Sequence, residues 1–334
     1  MSRQRPPAPL PMRAGVSPSC LALPSRGSGT MLDHLAERLP ALSRAAWQQR
    51  MEAGEVVDER GATVTPERPF EPGLRIFYYR HLESEPEIPF TEEVLYQDAH
   101  LLIADKPHFM PVTPGGRYVQ HSLLVRLKRR LGLAELSPLH RIDRDTAGLV
   151  LFSVQQRTRG VYQALFRERR ITKQYEAVAG WRADLAFPRE HHSRLEESPQ
   201  FFRMHEVPGA PNSCTRMELL EVAGRWARYR LEPVTGKRHQ LRVHMAALGL
   251  PLRHDAFYPE VNDPPEGDFS RPLQLLARTL HFTDPLSGAP RHFESRRKLL
   301  ALDPPPFEPR WFVRTRDGGE AAGVAVWSRV RSPW

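Results

Sequence analysis

Apolar positions repeat with helical spacing from residue 31 onward. In "LDHLAERL", Leu32, Leu35, Ala36 and Leu39 recur at i, i+3, i+4 and i+7, which lines one face of an amphipathic helix. A second helix is predicted in "RAAWQQRMEAG", with Ser43 placed as its N-cap and Gly54 closing it. Its exposed face carries Arg44, Gln48, Gln49 and Arg50. The runs "EVV", "ATV" and "PGLRIFYY", broken by a turn at Gly61, predict a three-stranded meander. Two short helices and a small meander make a unit over residues 31–80 that is too small to hold a catalytic cleft.

Beyond residue 90 the pattern changes. "VLY" and "HLLIADK" read as strands around a polar turn, with Pro107 ending the second. "SLLVRLKRRLG" reads as a helix from Ser122 to Gly132, with Leu123, Leu124, Leu127 and Leu131 inward and Arg126, Lys128, Arg129 and Arg130 outward. "LSPLHRI" is strand-like, "DTAG" is a turn and "LVLFS" is a buried strand. A helix in "TRGVYQALFRERR" and a strand in "KQYEAVAGW" follow, then a loop-rich insertion over residues 183–213. "RMELLEV" and "RWARYRLEPV" alternate with period two, "TGKRHQLRVHMAALGLP" is a helix stopped by Gly249 and Pro251, and "LQLLARTLHFTDPLSG" reads as a strand pair. Strands outnumber helices and are joined mostly by hairpins. The expected class is therefore α+β, with a mainly antiparallel (mixed) central β-sheet flanked by helices and loops.

Composition adds boundaries. Residues 1–30 are rich in Pro, Ser, Gly and Arg and contain no acid, which predicts a disordered leader, with Met31 an alternative start. "HLESEPEIPF" predicts a linker at 81–90, leaving a large domain at 91–310 and a tail at 311–334 without a strong signal. No run of about 18 apolar residues occurs. Cys20 and Cys214 are far apart and form no CxxC pair, so neither a disulfide framework nor a zinc motif is expected, and a reducing cytoplasm fits. The net charge of +9 points to a polyanion, with nucleic acid ahead of membrane. A monomer is the default.

Charge then raises a question of chemistry. "LHRIDRDTAGLVLFS" sets Asp143 and Asp145 among Arg141 and Arg144, at a turn before a buried strand. A carboxylate held at a strand end is placed as a catalytic group must be. The plain alternative is a surface Asp/Arg ladder, worth at most about 1 kcal/mol per pair. Charge pattern alone does not separate the two aspartates. His140, His239 and His244 show no metal-ligand spacing such as HExxH, so no metal is expected.

"HRIDRDTAG" closely resembles the central motif of the RluA-type RNA pseudouridine synthases, usually His-Arg-Leu-Asp-x-x-Thr-Ser-Gly. "VLYQDAHLLIADKP" (94–107), "RRITKQYEAVAG" (169–180), "TGKRHQLRVHMAALGLPLRHDAFY" (235–258) and "LLARTLHFTDPLSG" (275–288) resemble further segments of that family in the same order. The resemblance spans about residues 90–300. Ile142 and Ala147 replace the usual Leu and Ser, and "LRHD" stands where Gly-Asp is common. The order of motifs in residues 31–80 resembles the small RNA-binding module of ribosomal protein S-four, with "DERGA" where Val-Asn-Gly is usual.

The resemblance implies a cofactor-free isomerase converting uridine to pseudouridine in structured RNA, 23S ribosomal RNA first and transfer RNA second. It implies Asp143 as nucleophile or as stabiliser of the sugar cation, Tyr175 packed on the base, and Arg242 paired with the aspartate. Substrate contacts are expected from His140, Arg141, Leu241 and Val243, with phosphate contacts from Arg44, Arg129, Arg130 and Arg169. A non-catalytic RNA-binding or assembly protein on the same fold is the alternative. A metal-dependent hydrolase built on His140, Asp143 and Asp145 lacks the ligand clusters it needs.

Overall fold

The computed structural model describes residues 9–40, 42–80, 85–200, 202–262, 264–265, 267–302, 312–314 and 320–322. Its N-terminal layer holds β1 (Ser19–Ala22), α1 (Met31–Arg38), α2 (Arg44–Glu52), β2 (Val56–Asp58) and β3 (Arg75–Tyr78). A capping box starts α1: Thr30 Oγ1 accepts the Asp33 amide at 3.2 Å, and the Asp33 carboxylate accepts the Thr30 amide at 3.0 Å. Ser43 caps α2 through the Ala46 amide. Leu35, Trp47, Val56 and Ile76 are fully buried between helices and strands.

Two expectations fail in this layer. "ATV" supplies only an isolated bridge, Thr63 to Val57, and the third strand comes from the segment expected to be a disordered leader. β1 pairs antiparallel with β3 in the order β1-β3-β2. Val16 packs against Val119 and Val125 of the large domain, and Lys128 Nζ donates to Ser17 Oγ at 3.1 Å. Local composition could not order residues 9–30. The open edge of β3 and a neighbouring apolar surface do so by accepting their backbone and Val16. Residues 1–8 lie outside the described residues.

The connector also departs from a free linker. Residues 81–84 lie outside the described residues, but Glu85 accepts the amides of Val119, Gln120 and His121 at 2.6–2.8 Å, and Ile88 is buried. Arg126, expected to face solvent, donates to the carbonyls of Ile88 and Phe90. Lys128 is buried as well, so half of the predicted basic face is spent inside the fold.

The large domain runs β4 (Glu93–Gln97), β5 (Leu101–Lys106), α3 (Leu123–Leu131), β6 (Ser137–Pro138), β7 (Ala147–Ser153), α4 (Gln156–Arg167), β8 (Ile171–Gly180), β9 (Arg189–Glu197), β10 (Met204–Val207), β11 (Ser213–Ala223), β12 (Trp226–Pro233), α5 (Gln240–Ala247), β13 (Leu275–Thr283) and β14 (Pro290–Glu294). β15 (Phe312–Arg314) and β16 (Glu320–Ala322) form a separate hairpin in the tail. One eleven-stranded sheet has the path β10-β9-β11-β12-β8-β13-β7-β5-β4, with β14 on β13 and β6 on β7. Among the described residues only the β13–β7 pair is parallel, which agrees with the expected α+β class and its mainly antiparallel mixed sheet.

Every residue of β7 is buried. Gly148 permits the parallel contact: it has φ of +108°, and a Cβ there would lie 2.3 Å from the Ala277 carbonyl oxygen. The expected loop over 183–213 is instead the hairpin β9–β10, which extends the sheet. Its strand "REHHSRLEE" carries polar side chains on both faces, so hydrophobic alternation does not reveal it. "LQLLARTLHFTDPLSG" is likewise one strand, β13, whose hairpin partner is β14.

Candidate active site

Asp143 sits in the turn that leads into β7. Ile142 is anchored in the core beside Phe152 and Ala277, and the Thr146 amide closes the turn on the Asp143 carbonyl at 3.2 Å. Beneath it lies Lys106, fully buried at the end of β5. Its ammonium donates to the carbonyls of Pro107, Met110 and Arg144 at 2.7–2.9 Å. Burial draws Lys106 down to about 7, against the opposing pull of Asp145 and Asp143. The backbone on either side of Asp143 is therefore pinned, while its side chain keeps 26% exposure.

Arg242 approaches from α5. Its Nη1 stands 3.3 Å from Asp143 Oδ2, while Nε and Nη2 make a bidentate pair with Asp255 at 2.8 and 2.6 Å. Burial alone would lower the guanidinium, but the hydrogen bonds it donates to Asp255 outweigh that and hold Arg242 above its usual range. Asp255 Oδ1 also accepts the amides of Phe257 and Tyr258, whose rings lie 5.1 and 5.3 Å from the guanidinium carbon. The residue before Asp255, His254, has φ of +63°, the left-handed region that favours glycine. That backbone demand explains why Gly-Asp is the usual pair at this place.

His239 precedes α5 with its Nε2 4.0 Å from Asp143 Oδ2 and its Nδ1 3.0 Å from the Tyr258 hydroxyl. Burial holds it below the ordinary histidine range. Tyr175, on β8 between Leu231 and Ala277, is mostly buried. Burial first, and Asp143 second, raise its phenol well above the ordinary value, so it faces the site as a neutral hydroxyl.

These groups open into a cleft of about 1090 Å³ lined by Asp143, Tyr175 and Leu241, with Arg141, Arg169, Lys173, Arg216, Lys237 and Arg238 as its basic wall. Asp143, Tyr175, Arg141, Leu241 and Arg169 thus come together as the sequence reading expects, with Arg242 directly behind Asp143.

Other expected site residues stand elsewhere. His140 borders the cleft, but its Nε2 accepts the Leu151 amide at 3.0 Å and its ring stacks on Phe166. Val243 packs with Leu195, Met204 and Tyr258, facing away from the cleft because it follows the cleft residue Leu241 by two helical positions, about 200° around the axis. α5 is buried from Gln240 through Met245, Arg242 included. Arg44 pairs with Asp33, Arg130 pairs with Glu92, and neither these two nor Arg129 lines the cleft. Asp145 takes Arg144 Nε at 2.8 Å. His244, fully buried, holds the hydroxyls of Ser193, Ser213 and Thr215.

Lys106, His239 and Asp255 stand around Asp143 and Arg242 in positions that sequence reasoning did not assign. For Asp255 the signal was present in "LRHD", where the acid is kept and only its neighbour differs.

Residues 100–247 match the family described as RNA pseudouridylate synthase. An uncharacterized RNA pseudouridine synthase of Synechocystis sp. is 34% identical over 233 residues, covering 68% of this chain and 79% of that protein. The dual-specificity RNA pseudouridine synthase RluA of Haemophilus influenzae is 30% identical over 220 residues, covering 64% of this chain and 97% of its own length. Its namesake in Escherichia coli K12 is 33% identical over 226 residues, covering 64% and 95%. Among solved structures, human RNA pseudouridylate synthase domain containing 1 is similar in fold, with a TM-score of 0.51, 22% identity and coverage of 73% of this chain and 94% of that one. The family match leaves residues 31–80 outside it. No described helix is long and apolar enough to cross a membrane.

Proposed function

The chain belongs to the RluA-type RNA pseudouridine synthases, isomerases that act on RNA, and from that premise we propose that Asp143 is the carboxylate with which it attacks its uridine. The observation that carries this reading is Asp143 itself, open to the cleft on one side and backed by Arg242 on the other.

A uridine inside a stacked RNA cannot reach this carboxylate, so the nucleotide is turned out into the cleft. Breaking the bond between uracil N1 and the ribose C1′ builds positive charge on the sugar, which Asp143 captures or stabilises. The detached uracil turns and its C5 bonds to C1′ as the Asp143 carboxylate is released; the C5 proton then leaves and N1, freed from the sugar, takes one up. Atoms balance, and neither oxidant nor reductant enters. Tyr175 packs against the base as a neutral hydroxyl, and Leu241 gives it an apolar edge. Arg242 holds Asp143 in place, and because Asp255 takes two of its donors the pair of aspartates is not fully neutralised by the one guanidinium. Arg141, Arg169, Lys237 and Arg238 face the phosphates.

The substrate in this reading is a structured ribosomal or transfer RNA, 23S ribosomal RNA first. The similarity to relatives named dual-specificity RNA pseudouridine synthases supports keeping more than one RNA target. The N-terminal layer, residues 31–80 together with β1, adds RNA contact through Arg44 and its neighbours. The catalytic unit in this reading is residues 91–310. The test is pseudouridine mapping by chemical sequencing in cells carrying Asp143→Asn or Asp143→Ala. A specific uridine modified in the wild type should lose its mark in both variants, and a mark that persists would remove Asp143 from its role.

A further inference from the structure

Antiparallel pairing of β9 with β11 sets His192 opposite Cys214 and Glu190 opposite Arg216, all on one face of the sheet, where Arg216 lines the cleft. His192 Nε2 lies 2.9 Å from Glu190 Oε2 and 3.7 Å from Cys214 Sγ, and the three candidate ligand atoms are all within 4.8 Å of one another. A tetrahedral zinc ion, about 2.0 Å from nitrogen and about 2.3 Å from sulfur, holds those two atoms about 3.5 Å apart. The spacing observed is already close to that. We propose that Glu190, His192 and Cys214 form a zinc-binding site, with the fourth position open to solvent.

The donor set favours this metal. A thiolate beside an imidazole and a carboxylate suits Zn²⁺ and disfavours Mg²⁺ or Ca²⁺, which take oxygen ligands. The surroundings fit too. Arg216 Nε donates to Glu190 Oε1 at 2.9 Å, which orients the carboxylate and leaves Oε2 turned to His192. The charge of Arg216 is shared with Glu232, 3.3 Å from its Nη1. Glu190 and His192 are exposed, so an ion reaches them without opening the fold.

On the opposite face of β9, His191 forms a second group of potential ligands with Glu206 of β10 and His244 of α5. It is the poorer site, because both ring nitrogens of His244 already hold serine and threonine hydroxyls.

The position gives the ion something to hold. The Cys214 amide donates to Thr235 Oγ1 and its carbonyl accepts Gln240 Nε2, so Cys214 is tied to the segment that leads into α5 and Arg242. Bound zinc would clip β9 to β11 at the point where Arg216 enters the cleft wall.

The experiment titrates the full chain, stripped of metal, with Co²⁺ and then Zn²⁺. One equivalent of cobalt should give the visible bands of a tetrahedral ion and a thiolate-to-cobalt charge-transfer band, and one equivalent of zinc should bleach both. Cys214→Ser should abolish the charge-transfer band, His192→Ala should weaken zinc binding at least about 10-fold, and Cys20→Ser should change neither. Circular dichroism verifies that each variant is folded. The proposal is overturned if the wild type gives no charge-transfer band, if Cys20→Ser removes it, or if Cys214→Ser binds zinc as tightly as the wild type.

Discussion

Arg242 reaches Asp143 with the one terminal nitrogen that Asp255 leaves over. The contact to Asp143 is 3.3 Å, and those to Asp255 are 2.8 and 2.6 Å. The asymmetry assigns different work to the two acids. Asp255, whose side chain is wholly buried, makes it tolerable to bury a guanidinium, and the oriented guanidinium then positions the partly open Asp143.

Removing Asp255 should therefore damage the fold more than removing Asp143. Asp255→Ala leaves a buried guanidinium with one long contact and two backbone amides without their acceptor. The expected loss is roughly 3–5 kcal/mol, measured by denaturant unfolding. Asp143→Ala should cost less than about 1 kcal/mol, because Arg242 keeps its bidentate partner. Equal losses would contradict this division of labour.

Arg242→Lys tests geometry with charge retained. An ammonium cannot span two carboxylates as a fork does, so turnover should fall at least about 10²-fold while RNA affinity stays within about threefold. Both are measurable on a short RNA carrying the target uridine. A lysine variant with wild-type turnover would show that charge behind Asp143 suffices.

How much of this was legible in the sequence follows from what each feature depends on. The helices α1 to α3 and the strands β5, β7 and β12 were readable because their apolar spacing is local. Asp143, Tyr175 and Arg242 were readable through ordered motifs, although charge could not tell Asp143 from Asp145. β9 was hidden because polar side chains occupy both of its faces, and β1 because its order comes from the edge of β3. Val243 was misread because a helical residue two positions from a cleft residue lies on the opposite side of the helix. The Glu190, His192 and Cys214 cluster exists only through strand pairing, so its ligands show no metal spacing along the chain.

Gly148→Ala should break the one parallel junction of the sheet. A methyl group at this φ of +108° would meet the Ala277 backbone at 2.3 Å, and backbone cannot swing aside as a side chain can. The β7–β13 contact carries the turn that holds Asp143, so the variant should lose at least about 3 kcal/mol and most activity together. Thermal unfolding beside single-turnover rates tests both. A stable but inactive protein would locate the effect in the turn alone.

The cleft wall makes an electrostatic prediction. Arg141→Ala and Arg169→Ala each remove one cation that faces the proposed path of the RNA backbone. Each should weaken binding several-fold and lower the slope of log affinity against log salt by about 0.7–0.9. Arg130→Ala, whose side chain pairs with Glu92 away from the cleft, should leave that slope unchanged. Filter binding across a salt series separates the two outcomes. A fall in slope for Arg130→Ala equal to that for Arg169→Ala would move the RNA path onto α3.

Acid should weaken the fold through His140. Burial, with Lys173 adding to it, holds His140 down to about 3, against about 6.5 in an unfolded chain. Between those values the unfolded chain binds a proton that the native ring refuses, because protonation would end its acceptance of the Leu151 amide. Stability is then full above pH 6.5 and falls as the pH drops toward 3. From pH 7 to pH 5 this one group accounts for about 2 kcal/mol. His140→Gln supplies an acceptor that does not titrate in this range. The variant should lose about 2 kcal/mol less than the wild type over the same interval, measured by urea unfolding at the two pH values. Parallel losses in the two proteins would mean that His140 takes up its proton in the folded state.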